Sequence, residues 1–521
     1  MKTENKLPST LFYNGRIYNH PKKSAILCYG DKITAIGNRS DFNAKKKVDL
    51  NGGVVYPGFI DSHLHLLGTG QALENINLNG IRSPQDVIPV LKKHIQSIHK
   101  SNSWILGRGW DQNLWEGQAY PDKLILDEAA PNIPVAFQRV DGHTLWVNSK
   151  AMELAGISKN TPSPSGGVIV KNKEGVPAGV LVDNAMSLVL DIIPDPSKPE
   201  IERLINKAAS HLNSFGLTSI HDPGTTPDTI SVLINNESRS TLGVYAMLNY
   251  DESEIAPFLN KAHLISYPSI TVRAVKIYLD GALGSRGAAL LEPYSDEPEN
   301  DGLILEAIEK VKIDIKRFNQ LGYQTAIHCI GDRANRIALD LYEEVGIKEC
   351  RNRVEHAQMV HHKDIHRFSK LSVLPCMQPV HCTSDMGWLH LRVGKDRLCE
   401  AYPWNSLVKA GSIIPGGSDA PIESPDPLRG IYAAITRKNE EGYPASGWQG
   451  HETVSMDNAI KMYTEWAAYA GFEENVKGQI KEGFNADLTV LDRDLLRIHP
   501  SETLETKVKM TIVNGNVVYS A

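Results

Sequence analysis

The sequence predicts an α/β fold: a (β/α)8 barrel, a small β-sandwich built from both chain ends, and an inserted α+β domain. Three observations predict it. Through the middle of the chain, short apolar runs alternate with helical patterns, as parallel strands joined by helical crossovers do. Both ends carry strand-like runs broken by turns, and neither is long enough to be a stable domain alone. The interval from Leu66 to Leu217 is far longer than one barrel unit needs.

At the N-terminus, Thr10-Leu11-Phe12-Tyr13 precedes Asn14-Gly15, a hairpin signal, and Arg16-Ile17-Tyr18 follows it. Ala25–Tyr29 precedes Gly30-Asp31, and Ile33–Ile36 precedes Gly37-Asn38, so a small antiparallel sheet is expected. Ala486–Leu491 and two runs about Asn514-Gly515 supply matching strands at the other end. Residues 1–56 and 475–521 are therefore expected to pair into one composite domain. The barrel is assigned to 57–80 plus 186–474. Its strands are read at Val54–Leu66, Leu217–Asp222, Gly243–Leu248, Arg273–Leu279, Tyr323–Cys329, Arg353–His356, Ser372–Met377 and Ser412–Gly416. Helical patterns at Glu200–Phe215, Glu306–Leu321 and Arg333–Val345 fall between them. The insertion, 81–185, contains a helix at Gln85–His99, a strand at Ile133–Val140 and a turn-rich stretch at Thr161–Gly167. It is expected over the barrel mouth, because barrel sites form from loops at the C-terminal strand ends.

Composition narrows the function. The 521 residues are 41% hydrophobic and 22% charged with net charge -6, which gives no electrostatic footprint for nucleic acid or an anionic membrane. No apolar stretch approaches the ~18 residues of a membrane span, and Met1–Thr10 lacks the apolar segment of a signal peptide. The six cysteines contain no Cys-x-x-Cys pair and read as reduced thiols, so a cytoplasmic location is the expectation.

The chemistry is organised around Phe59-Ile60-Asp61-Ser62-His63-Leu64-His65. On a strand, side chains two apart share a face, so His63 and His65 would project together as ligands for one ion. A bare His-x-His is equally well two polar side chains in a loop. Ligand-type residues at other strand ends shift the balance: His328 on the fifth, His356 on the sixth and Asp419 on the eighth. Each has an ordinary alternative, a hydrogen-bonded core histidine or a helix-capping aspartate, but their coincidence on one rim argues for a metal site. Lys276 lies inside the apolar fourth strand. A buried ammonium must be paired, neutral or modified. It either faces solvent at the strand edge or, inside the site, forms a carbamate with carbon dioxide.

These pieces resemble the amidohydrolase superfamily, and within it the branch that includes N-substituted formamide deformylase. The resemblance rests on Pro57–His65, Lys276–Gly284, His328–Ala334, Arg353–Gln358, Gly417–Pro421 and the tail from Lys477 to Leu488. It implies a distorted, metal-dependent barrel. It also implies His63 and His65 on the more buried metal, His328 and His356 on the other, and an N6-carboxylated Lys276 bridging them. Asp419 would bind metal and carry the proton. Zinc is the expected ion, one or two per chain, with manganese, iron and cobalt left open.

The expected activity is hydrolysis of a carbon–nitrogen bond in a small amide, formamide or cyclic amide by metal-activated water. A phosphotriester or ester hydrolase, or a non-hydrolytic lyase or isomerase on the same barrel, would share the ligand pattern. A non-enzymatic interaction protein fits poorly, because every expected ligand position is filled. Trp110, Asp111, His143, Arg286 and Gln378 are candidate substrate contacts. Core roles for Trp110 and His143 are equally good accounts. The expected partner is a small-molecule substrate, and a homodimer is admitted without being required.

Overall fold

A computed structural model describes residues 9–97, 104–140, 142–259 and 265–521. The chain divides into two compact units, one formed by 1–69 with 201–521 and the other by 70–200.

The first unit is built on a curled parallel sheet. Its strands, Phe59–Asp61, Leu217–Thr225, Gly243–Asn249, Ile270–Tyr278, Gln324–Cys329, Arg353–His356 and Leu374–Cys376, lie side by side in chain order. Helices Lys198–Ser214, Pro227–Asn235, Ile308–Gln320, Asp332–Val345 and Ile365–Leu371 alternate with them. Both sheet faces are buried, the pattern a helix-wrapped parallel sheet requires. Val275 and Ile277 belong to the main apolar cluster, whereas Lys276 between them is turned the opposite way.

Two of the expected strands differ. Val54–Leu66 is not one strand: Val54–Pro57 joins the terminal sheet and Phe59–Asp61 the parallel one, with the change of sheet at Gly58. A Cβ on Gly58 would lie 2.3 Å from Thr218 Oγ1, so this crossing requires glycine. His63 and His65 consequently lie beyond the strand rather than on it. Ser412–Gly416 forms no strand either. Pro415 has no N–H to donate, and only an isolated parallel bridge links Gly416 to Met377. The segment still lies between two strands: the Met377 N–H donates to Pro415 O at 3.0 Å, and the Ser62 N–H to Gly416 O at 2.9 Å.

The chain ends form two further sheets, the first from N-terminal strands alone and the second from both ends. One orders Lys32–Gly37, Ala25–Tyr29, Ser9–Tyr13 and Lys46–Asp49. The other orders Arg16–Ile17, Val54–Pro57, Leu488–Leu491, Val508–Val513 and Asn516–Ser520. The first is not wholly antiparallel, since Lys46–Asp49 pairs parallel with Ser9–Tyr13. The two Asn-Gly pairs behave differently. At Asn514-Gly515 both residues have positive φ, 50° and 75°, and a hairpin forms as a type I′ turn demands. At Asn14-Gly15 only Asn14 does (φ 62°), and Arg16–Ile17 leaves for the other sheet, pairing parallel with Val54-Val55.

The second unit is α+β. Its six-stranded sheet orders Gly167–Lys171, Pro177–Asp183, Thr144–Val147, Val135–Arg139, Ile105–Trp110 and Ile76–Asn77, so it begins before residue 81. Helices Val87–Ser97, Lys123–Ala129 and Ser149–Leu154 accompany the sheet; Ile98 and His99 of the expected Gln85–His99 helix lie outside the described residues. Among the described residues, no helix is long and apolar enough to cross a membrane.

Candidate metal centre

The site grows from two segments held together by backbone bonds. The Asp419 N–H donates to His63 O at 2.7 Å, and the His65 N–H donates to Ala420 O at 2.9 Å. Asp61 ties the same segments from below, accepting from the His63 and Ser418 amides at 3.0 and 3.1 Å. Burial pushes its carboxyl up to about 7. Gly417 permits this approach, since a Cβ there would lie 2.7 Å from the His63 nitrogen.

His63 Nε2 and His65 Nε2 both point at Asp419 Oδ1, at 3.5 and 3.2 Å. His356 completes the set: ligand atoms from His63, His356 and Asp419 all lie within 4.8 Å of one another. The His328 ring is 4.5 Å from that of His356, centroid to centroid. Lys276 is 0% exposed and its Nζ has no hydrogen-bond partner. Burial lowers its pKa, with Glu355 and Asp419 acting the other way, and its charge in turn disfavours protonation of His63, His328 and His356. Lys276 therefore faces the site and not the solvent.

Burial disfavours the charged form of His63, His328 and His356, whereas at His65 the Asp419 carboxylate outweighs burial and raises the pKa. Burial and the Lys276 charge bring His63 down to about 4 and His328 to about 3. Each of two rings has one nitrogen fixed from behind. His63 Nδ1 meets Glu355 Oε2, and His356 Nδ1 meets Gln378 Oε1 at 2.9 Å. A ring nitrogen donating to such an oxygen leaves the other lone pair for an ion. Burial alone would raise the Asp419 carboxyl, but His65, His63, His356 and His381 outweigh it and hold the group well below the carboxylate range. Asp419 (φ 58°) and His356 (φ 73°) are both left-handed, a costly conformation for residues with a Cβ and one that clusters at functional sites.

A donor set of imidazoles, a carboxylate and an orphaned buried amine is what a divalent ion needs, and it leaves buried nitrogens without partners otherwise. His328 Nε2, His381 Nε2 and Lys276 Nζ all lack a hydrogen bond.

Residues 46–519 match the Amidohydrolase family. The chain belongs to the amidohydrolase family. This amidohydrolase is 35% identical to YtcJ of Bacillus subtilis (strain 168) over 91% of its own length and 90% of that protein's. It is 26% identical to the N-substituted formamide deformylase of Arthrobacter pascens, with 95% and 94% of the two chains covered. An uncharacterized metal-dependent hydrolase from Pyrococcus furiosus superposes with a TM-score of 0.80 at 28% identity, covering 94% of this chain and all of that one.

The structure gives the other candidate contacts different roles. The Gln378 side-chain oxygen holds the His356 ring and its Nε2 donates to Cys376 O at 3.4 Å. Arg286 is committed to Asp296, to which Nε and Nη2 both donate, so its anion partner is internal. In the second unit, Trp110 is a core residue. It is stacked on Trp115, and its N–H is spent on Phe137 O at 2.7 Å. Asp111 caps the turn at Gln112 and accepts from Arg139. His143 is exposed and lies 3.0 Å from Asp183.

Three residues of the amidohydrolase site were not anticipated. Arg353 and Glu355 lie two apart on the sixth strand and form a fully buried ion pair, Nε to Oε1 at 2.6 Å. Strand alternation would have found them, because it turns both inward with Lys276. His381, Nε2 3.9 Å from Asp419 Oδ2, stacks against His356 at 6.2 Å. It lies on the helix Pro379–Asp385 that follows Gln378, one turn beyond the strand end where a ligand was sought.

Proposed function

We propose that this amidohydrolase hydrolyses a carbon–nitrogen bond of a small amide, with N-substituted formamides and N-acyl amines as the first candidates. The observation that carries the reading is the meeting of His63, His356 and Asp419 within ligand distance, beside a buried amine with no partner. Residues 412–417 are read as the eighth stave, closing the barrel between Met377 and Ser62. His63, His65, His356 and Asp419 would hold one ion; His328 and Lys276 would complete a second position. A divalent ion there, zinc by its nitrogen and oxygen donors, supplies Lewis acidity toward the amide carbonyl and lowers the pKa of the attacking water.

Asp419 takes the proton of that water and returns it to the amide nitrogen, which leaves only once protonated. It suits both steps because its neighbours keep it anionic. Gln358 Nε2 meets His381 Nδ1 at 3.3 Å; with that nitrogen accepting, His381 Nε2 would carry a proton to donate to the carbonyl oxygen as negative charge develops. The Lys276 carbamate forms by attack of the neutral amine on carbon dioxide with loss of one proton. Burial lowers the pKa of that amine, which favours the neutral form that attacks.

Purified protein analysed for bound metal and assayed across formamides, N-acyl amines and cyclic amides in ¹⁸O-labelled water tests the activity. Oxygen-18 in the acid product and no bound metal in His63→Ala are expected. Turnover without label incorporation would favour a lyase or isomerase, and activity confined to phosphotriesters would replace the amide reading. For Lys276, ¹³C-bicarbonate should give a carbamate resonance absent from Lys276→Ala. Identical spectra would remove the modification.

A further inference from the structure

Outside the barrel site, the loop after the sixth strand carries a second nitrogen and oxygen cluster. His361 and His362 are adjacent, their rings 4.2 Å apart, and both face one carboxylate. Glu400 Oε1 lies 3.7 Å from His361 Nε2 and 3.2 Å from His362 Nδ1, and one ligand atom from each of the three falls within 4.8 Å of the others. The backbone fixes this arrangement. The Val360 N–H donates to Glu400 O at 2.9 Å, Met359 and Ala401 form an antiparallel bridge, and the His362 N–H reaches Glu400 Oε1 at 3.4 Å.

The Glu400 side chain is only 11% exposed, and among the described residues no lysine or arginine pairs with it. A single divalent ion would answer this carboxylate and take one ligand atom from each of the three residues. We propose that His361, His362 and Glu400 form a second metal site for a zinc-class ion, distinct from the barrel centre. The His362 side chain is 70% exposed, so the ion would keep water in its remaining positions. Binding moves the His361 proton to Nδ1, which gives up the weak 3.3 Å bond it accepts from the Lys363 N–H. The ion would then join the 357–364 loop to the turn Asp396–Glu400.

The test is zinc stoichiometry by equilibrium dialysis at micromolar zinc, on wild type, His362→Ala and Glu400→Gln, each with its barrel site loaded. Wild type should hold one equivalent more than either variant, while all three keep the same hydrolytic rate. A cobalt(II) titration should likewise show a d–d absorption step in wild type that both variants lack. Equal zinc content in all three would overturn the proposal. So would loss in His362→Ala alone, since the carboxylate would then play no part. A wild type lacking the barrel ion would instead count against the hydrolase reading, and the difference between wild type and variants would still report on this site.

Discussion

Asp419→Asn is expected to lower kcat/KM by about 10²–10⁴, the range in which a positioned acid–base group contributes. The same substitution should leave the thermal midpoint nearly unchanged. The reason is that the proposed function gives the Asp419 carboxylate catalytic work, while the architecture at this point is held by other groups. The joining of the two segments is done by its amide, which donates to His63 O, and by Asp61 beneath. Asparagine keeps the shape and the backbone bonds. It removes the anion that four imidazoles favour, and with it the base that receives a proton. A steady-state assay paired with a thermal melt separates the two effects. Near-wild-type turnover in Asp419→Asn would take the residue out of the proton path, and a large fall in melting temperature would make it a structural group.

Much of this was readable in the sequence because a helix-wrapped parallel sheet gathers residues at its strand ends, where a short motif can be recognised. His63, His65, His356 and Asp419 were named as candidates that way, and the structure brings them together. What was missed follows from departures from ideal strands. The His63/His65 pair was attributed to strand alternation, yet both residues lie past Asp61 in a bend, and they converge because backbone bonds to 416–420 aim them. Glu355 and His356 are neighbours, so alternation forbids them one face; the left-handed φ at His356 breaks the rule and lets Glu355 support His63 while His356 enters the ligand set. Residues two apart on a strand cannot announce that they form an ion pair, and a terminal Asn-Gly cannot announce which sheet the chain will enter next. Arg286, Gln378 and Trp110 carry residue types that suit a pocket, but residue type alone does not show the protein partners that each side chain takes.

The largest stability effect should come from Arg353→Met. Arg353 is 0% exposed and spends its guanidinium on Glu355, on Ser62 O at 2.6 Å and on His221 Nδ1 at 2.9 Å. Burial alone would raise the Glu355 carboxyl, and Arg353 followed by His63 holds it low. Removing the arginine leaves that carboxylate buried beside one imidazole, and breaking a buried pair from one side costs about 3–5 kcal/mol. The Ser62 carbonyl loses its charged donor as well, so the segment leading into His63 should loosen and bound metal should fall with stability. Glu355→Gln should cost less than Arg353→Met, because the amide can still accept from His63 and Arg353. The double variant Arg353→Met/Glu355→Gln should recover part of the Arg353→Met loss, since no uncompensated anion remains. Denaturant midpoints for the wild type, two singles and double close the cycle, and the coupling between the sites is the quantity read. If the two losses simply add, Arg353 and Glu355 act independently, and the ion pair is not what holds His63 in place.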